Sequence, residues 1–176
     1  MTGAAWPVRW RRDPLRLVAV ALVLVAGVSA GWFGLSWYGA AHDDGLAYSR
    51  TRDEALLAAE QGIQNLNTLD YRTAADGLRI WQDSTTGNLH DQLVNGAEKF
   101  LDQIAITQTI TTATILSCAI TELDDRAGKA SFIAAVEIIV TPVNGTPTPK
   151  RERLAGELTR TDAGWKLSSI GQVPVT

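Results

Sequence analysis

The 176-residue chain contains one cysteine, one methionine and two histidines, and its formal net charge is only -3. A single cysteine, Cys118, cannot form an intramolecular disulfide or a multi-cysteine metal site, which excludes a disulfide scaffold and a zinc ribbon. Blocks of like charge and basic stripes interleaved with aromatic residues are also missing, so the chain lacks the electrostatic footprint of nucleic-acid binding. We expect no nucleic-acid partner, no metal site and no cofactor.

Apolar residues make up 45% of the chain and charged residues 20%, which is typical of a folded protein. The length predicts one folded domain. Tryptophan is distributed unevenly, because four of the six tryptophans precede residue 39: Trp6, Trp10, Trp32 and Trp37. The N-terminal segment therefore differs in kind from the rest of the chain.

Charged residues are absent from Leu17 to Tyr38. A helix of that length rises about 33 Å, enough to cross a hydrocarbon core of about 30 Å. Arginines precede the segment, and Asp43 and Asp44 follow it, so the positive-inside rule places the N-terminus in the cytoplasm. The pattern predicts a single-pass protein of the plasma (inner) membrane with four parts: a basic cytoplasmic segment 1–16, a transmembrane helix 17–38, a juxtamembrane linker 39–48 and an extracytoplasmic domain 49–176.

A cleaved secretory signal is the alternative, because residues 28–30 and 39–41 resemble small-residue cleavage sites. The uncharged run exceeds the usual signal core of about 7–15 residues, which favours a retained anchor. Within that segment, Gly27 and Gly31 form a GxxxG element, which Ala30 and Gly34 extend at the same spacing. Gly27, Gly31 and Gly34 are therefore a candidate helix–helix interface, for association with a second copy or another protein. The plainer interpretation is that glycine is common in membrane helices generally.

The region after the anchor predicts an α+β domain. Helical periodicity covers about 49–69, Asp70 would cap a shorter second helix, and a third covers about 89–103, with Gly96 inside it. Four strands follow, over approximately 107–123, 129–140, 150–161 and 164–173, and their short links require antiparallel neighbours. We expect a cone-shaped domain of about three helices packed on a curved four-stranded antiparallel sheet. One face of the second strand should be buried under the helices: Ala130, Phe132, Ala134, Val136, Ile138 and Val140.

Several side chains invite a chemical interpretation, but a structural one is stronger for each. His90 beside Asp91 could transfer a proton, yet adjacent helical residues point in different directions. His42 with Asp43 and Asp44 could bind a metal only adventitiously.

Asp70 is better suited to capping a helix than to sharing a proton with Asp76. Tyr71 and Trp81 could line the mouth of the cone, although large aromatics more often belong to the core. The sequence thus offers no catalytic residue, and we expect no enzymatic activity.

A diffuse set of residues carries a family resemblance over nearly the whole chain. The set consists of Arg52, Ala55, Leu56, Ala58 and Ala59, then Leu69-Asp70-Tyr71 and Asp76, then Thr86-Gly87, Arg153 and Gly164-Trp165-Lys166-Leu167. Together with the order of elements, it resembles the actinobacterial Mce-associated membrane proteins, where Mce stands for mammalian cell entry. The chain departs from longer members in having only a short cytoplasmic segment.

The resemblance implies an outer domain like the nuclear transport factor two fold, which the inner-membrane scaffold subunits of type IV secretion systems also use. It further implies an accessory protein that supports assembly or stability of an Mce lipid importer, with proteins of that importer as its partners.

The alternatives are an envelope module that binds a lipid or small molecule inside the cone, a cyclase-like enzyme, and a scaffold of a type IV secretion-like system. Binding inside the cone requires an apolar cavity, and an enzyme requires convergent titratable groups as well. A cone filled by Phe, Leu and Ile side chains would argue against the binding module and against the enzyme.

Overall fold

The computed structural model describes residues 14–41 and 44–173. His42 and Asp43, most of the basic cytoplasmic segment, and Trp6 and Trp10 lie outside the described residues. The chain divides into two compact units, Met1–Leu46 and Ala47–Thr176.

The first unit contains one long helix, α1 (Pro14–Ala41), whose large apolar side chains, Val28, Trp32 and Leu35 among them, are exposed. No helix formed by residues 14–41 or 44–173 combines the length and apolar character that crossing a membrane requires. Helix α1 includes the whole of the helix predicted over 17–38. Its transmembrane character stays a prediction.

Four further helices and a 3₁₀ turn precede the long strands. They are α2 (Asp44–Leu66), the turn Tyr71–Thr73, α3 (Ala74–Asp83), α4 (Gly87–Asn95) and α5 (Ala97–Thr107). The expected count of about three helices is wrong, because the predicted helix over 89–103 is two helices that meet at Gly96. Gly96 ends α4 and precedes α5 with φ −89° and ψ −2°, and glycine is about 1 kcal/mol less favourable than alanine inside a helix.

Five antiparallel strands form one curled, half-barrel sheet in the order β1-β2-β3-β4-β5. They are β1 (Leu69–Asp70), β2 (Thr109–Asp124), β3 (Lys129–Pro142), β4 (Thr148–Thr161) and β5 (Gly164–Gln172). The α+β class and the four long strands are confirmed, but the count of four is wrong. The extra strand β1 pairs Leu69 with Thr111 and Asp70 with Ile110, and two residues are too short to show a strand period.

The concave face of the sheet carries the core. The predicted face of β3 is buried from Ala130 to Ile138 and half-buried at Val140. Helix α2 covers it with three fully buried side chains, Ala55, Ala59 and Ile63, spaced four residues apart on one helix face. Leu158 of β4 and Leu167 of β5 complete the same cluster. Helix α2 therefore covers one face of the sheet, and the opposite face is the outer face.

Candidate functional site

The interior of the cone is filled. Phe132 is 1% exposed, and Ile63, Leu158 and Leu167 are completely buried. A Cβ atom at Gly62 would lie 2.7 Å from Cδ1 of Leu167, so helix and sheet are packed as closely as the glycine permits. These four side chains occupy the centre of the cone, and a separate pocket of about 250 Å³ lies near the end of α2, lined by Leu66, Leu154 and Ile170 among others.

Tyr71 and Trp81, the predicted mouth residues, make contacts within the helical layer. The Trp81 ring centroid lies 4.9 Å from that of Phe100, which joins α3 to α5. Its indole nitrogen donates a long 3.4 Å hydrogen bond to the carbonyl of Thr68. Tyr71 is half-buried, with the guanidinium of Arg72 5.8 Å from its ring centroid. The role of the two aromatics as a ligand platform stays a prediction, since their described contacts are structural.

Asp70 caps the 3₁₀ turn that it precedes. Its Oδ1 accepts hydrogen bonds from the backbone N–H and from Nε of Arg72, at 2.9 and 3.0 Å. Asp76 instead forms an exposed 3.0 Å ion pair with Arg79. The Arg72 guanidinium and backbone N–H together hold the pKa of the Asp70 carboxyl below its ordinary value. The two carboxylates have separate partners.

His90 and Cys118 are also engaged locally. Nδ1 of His90 lies 3.0 Å from the carbonyl oxygen of Gln82, so this nitrogen carries the proton and donates it. Burial, with a smaller contribution from the negative charge of Glu60, raises the pKa of the Cys118 thiol to about 11. A thiol with that pKa is almost entirely protonated at neutral pH, so Cys118 is a poor nucleophile.

Gly27, Gly31 and Gly34 lie on α1 with open space around them. A Cβ atom added at any of the three would meet no other group within 4 Å. The surface that they form is therefore accessible within the first unit, and its use as a helix–helix interface stays a prediction. Within residues 14–41 and 44–173, no three metal-ligating side chains come together.

The outer face of the sheet carries a shallow apolar groove of about 320 Å³. Three neighbouring strands form it, because the register places Ser117 of β2 beside Ala135 of β3, and Ala135 beside Arg153 of β4. Ile133 and Val173 supply further apolar surface, and both are exposed. We call this feature the outer-face groove. It crosses three strands, so no sequence pattern within one strand could indicate it.

A wider groove of about 690 Å³ continues from it toward the start of β4 and shares Ala135, Arg153 and Val173. Lys150 is ion-paired there with Glu152, and Arg151 Nε lies 2.9 Å from Glu137 Oε1. The ammonium of Lys150 is also the main cause that lowers the pKa of Glu152. Apart from Arg153, the basic side chains of this neighbouring groove are thus paired with carboxylates.

The feature that defines the class of protein is a curled antiparallel sheet with α2 packed on one face. This fold is shared with periplasmic domains of type IV secretion proteins. An IcmL-like type IV secretion system protein from Legionella pneumophila superposes with a TM-score of 0.58 at 11% identity, covering 71% of this chain and 94% of that one. CagV, a VirB8 homologue of Helicobacter pylori, gives 0.54 at 12% identity, covering 70% and 99%. The periplasmic domain of DotI gives 0.57 at 15% identity, covering 68% and 93%.

The family is shown by sequence. The chain belongs to the family described as "Uncharacterized protein Rv1363c/MT1408-like", whose model matches residues 15–174. Over 173 residues, the chain is 24% identical to the uncharacterized protein Rv1363c of Mycobacterium tuberculosis. The aligned region covers 98% of this chain and 66% of that relative. The chain thus spans just under two thirds of the relative's length. These comparisons do not show an association with Mce importers, which stays a prediction.

Several residues that carry the Mce-associated resemblance have structural roles. Ala55 and Ala59 are buried under the sheet, and Asp70 caps a turn. Gly164 starts β5 with φ +102°, a conformation that side-chain-bearing residues rarely adopt. Leu167 is completely buried. Arg153 differs, because it is exposed at the outer-face groove and has no structural partner for its side chain among the described residues.

Proposed function

We propose that the chain is a non-enzymatic accessory protein whose second unit acts as a scaffold in a multi-protein assembly of the cell envelope. The filled interior of the cone carries this proposal. An enzyme or a carrier of this fold needs a cavity, and a carrier needs several hundred cubic ångströms of apolar space. Phe132, Leu158 and Leu167 occupy the centre of the cone here, which favours the outer surface as the working part of the domain.

The location of the assembly is part of the proposal. The uncharged segment from Leu17 to Tyr38 would anchor the chain in the plasma membrane with its N-terminus in the cytoplasm. The second unit would then lie outside, as do the periplasmic domains whose fold it shares. Protease treatment of intact spheroplasts tests this: a C-terminal tag should be digested and an N-terminal tag protected. Protection of both tags would contradict the proposed orientation.

The assembly itself is proposed to be an Mce-type lipid importer, on the strength of the sequence resemblance at Leu69-Asp70-Tyr71 and Gly164-Trp165-Lys166-Leu167. A type IV secretion-like machine is the second candidate, and the fold shared with the IcmL-like protein and CagV favours it. Both candidates have the same mechanism, in which the chain contributes contacts and no turnover. They differ in the proteins that it contacts.

Affinity purification from native membranes distinguishes these possibilities. The tagged full-length protein is extracted in mild detergent, and co-purifying proteins are identified by mass spectrometry. Recovery of Mce substrate-binding subunits or their permease supports the importer, and recovery of secretion-channel subunits supports the second candidate. Recovery of the chain alone, after chemical cross-linking as well, would contradict a scaffold function.

A separate experiment tests whether α1 is the surface that contacts the partner proteins. Leucine at both Gly27 and Gly31 would fill the open surface of α1 and keep a second helix from approaching closely. Partner recovery should fall if that surface is the interface. The matched control is leucine at Val25 and Ser29, which keeps the glycines. Equal recovery of partner proteins with the two double variants would show that the glycine face of α1 is not the contact surface.

A further inference from the structure

The outer-face groove combines apolar walls with one cation that has no partner. Arg153 is exposed, and within the described part of the chain no acceptor or carboxylate pairs with its guanidinium. The neighbouring cations of β4 differ, because Arg151, on the same face, is held by Glu137, and Lys150, on the opposite face, is held by Glu152. Arg153 therefore supplies the one unmatched positive charge at the boundary between the two grooves.

The apolar side of the groove extends away from this charge. Ala119 of β2 and Ile133 of β3 line it, and Ile133 is 52% exposed although it lies in the middle of a strand. Adjacent strands lie about 4.8 Å apart and each residue rises about 3.3 Å, so the groove extends about 12 Å from Arg153 on β4 to Ala119, which lies two strands away and two residues further along. That length and the volume of about 320 Å³ suit one medium-length acyl chain.

We propose that the outer-face groove binds a fatty-acid-like amphiphile, with its carboxylate on Arg153 and its acyl chain along Ala119, Ile133 and Ala135. The guanidinium can hold a carboxylate through two parallel N–H···O hydrogen bonds. Burial of the chain removes exposed apolar surface from water at the same time. This site is on the opposite face of the sheet from the filled cone, and it is independent of the protein partners proposed above.

Photo-crosslinking tests the site directly. The probe is a diazirine-bearing analogue of dodecanoic acid, added to the full-length protein in nanodiscs of zwitterionic phosphatidylcholine. Adducts are mapped by mass spectrometry and normalised to adducts on α1, so that partitioning of the probe into lipid is corrected. We expect adducts on residues 117–119 and 133–135. Competition by dodecanoate should remove them, and dodecylamine should not.

Two pairs of variants sharpen the test. Arg153→Gln should lower groove labelling by about tenfold or more, since it removes a charge-assisted contact. Arg151→Gln is the matched control and should leave labelling within about twofold. Ile133→Trp should block the groove, whereas Ile139→Trp, further along the same outer face of β3, should not. Arg153→Lys retains the charge and should restore most of the labelling.

The result that overturns the proposal is equally specific. Labelling at 117–119 and 133–135 that is unchanged in Arg153→Gln, or that dodecylamine competes as well as dodecanoate, would show that the groove does not recognise a carboxylate. Adducts confined to other parts of the second unit would show that the groove is not the site. Circular dichroism of each variant confirms that it is folded before labelling is compared.

Discussion

The ring of Phe132 lies against Gly156 on the neighbouring strand, where the two residues are paired in the β3–β4 register. A Cβ atom at Gly156 would come within 2.8 Å of Cζ of Phe132 and would also meet the backbone oxygen of Ser169. Glycine at this position therefore lets the largest fully buried side chain fill the cone. The closed interior depends on this contact.

Alanine at Gly156 should destabilise the protein. The added methyl group has no space between the Phe132 ring and the Ser169 backbone, and overpacking of this kind costs about 1–3 kcal/mol. Gly171→Ala on β5 is the matched control, because its Cβ would meet nothing within 4 Å. Urea unfolding followed by tryptophan fluorescence measures both. Equal free energies of unfolding for the two variants would contradict the close packing described here.

Leucines on the two sides of the domain should respond differently to truncation. Leu158→Ala removes a completely buried side chain and should lower the free energy of unfolding by about 2–5 kcal/mol. Leu57→Ala removes a side chain that is 66% exposed on α2, and the change should stay within about 0.5 kcal/mol. Urea unfolding again measures the difference. A small effect of Leu158→Ala would mean that the cone is not filled by this side chain.

The Cys118 thiol should react slowly at neutral pH. Its pKa is raised to about 11, chiefly by burial. The rate of alkylation by iodoacetamide in the folded protein should therefore keep rising up to about pH 11. In urea, the rate should level off near the ordinary thiol pKa of about 8.5. A folded-state midpoint near 8.5 would contradict the buried environment of the thiol.

The raised pKa also sets how this thiol affects stability. The folded state holds the thiol proton of Cys118 more tightly than the unfolded chain does. The contribution of the protonated thiol to the free energy of unfolding is therefore fully present below the pKa of the thiol in the unfolded chain. It is lost as the pH rises toward 11. A Cys118→Ser variant should therefore lose less stability than the native chain between about pH 9 and 10.

The charge of Asp70 should stabilise the protein at neutral pH and not in acid. Its pKa is lowered, mainly by the hydrogen bonds from the Arg72 side chain. A depressed carboxyl pKa contributes stability above the unfolded value of about 3.9 and loses it as the pH falls through the folded value. Asp70→Asn should be less stable than the native protein at pH 7 and equally stable at about pH 2.

Asp76→Asn is the control for this comparison. The Asp76–Arg79 pair is exposed on both sides, so its loss should have little effect at either pH. Urea unfolding at the two pH values provides the measurement. A difference between Asp70→Asn and the native protein that persists at pH 2 would show that shape, and not charge, accounts for the effect.

Local patterns were sufficient to predict most of the sheet. Strand alternation in 129–140 identified the buried face of β3, and the Asp124–Gly128 and Asp162–Ala163 turns placed the strand ends within a few residues. The helical layer was harder. Gly96 divides one apolar periodic segment into α4 and α5, and β1 is too short to have a period.

The outer-face groove could not be predicted from the sequence. It depends on the register that places Ser117, Ala135 and Arg153 side by side on three strands, and on the β-bulge between Ile115 and Ser117. Bulges shift which side chains face outward, and no single-strand pattern shows them. Arg153 contributes to the family resemblance, but the sequence does not indicate that its side chain is unpaired while Arg151 and Lys150 are paired with carboxylates.

The most direct test of a scaffold function is the abundance of its partners when the chain is removed. Quantitative proteomics of native membranes should show that the subunits of one envelope assembly fall several-fold in a deletion strain. Complementation with the full-length chain should restore them, and complementation with Leu158→Ala should restore them less. Unchanged levels of Mce and secretion subunits, with intact native complexes on blue native gels, would contradict the account.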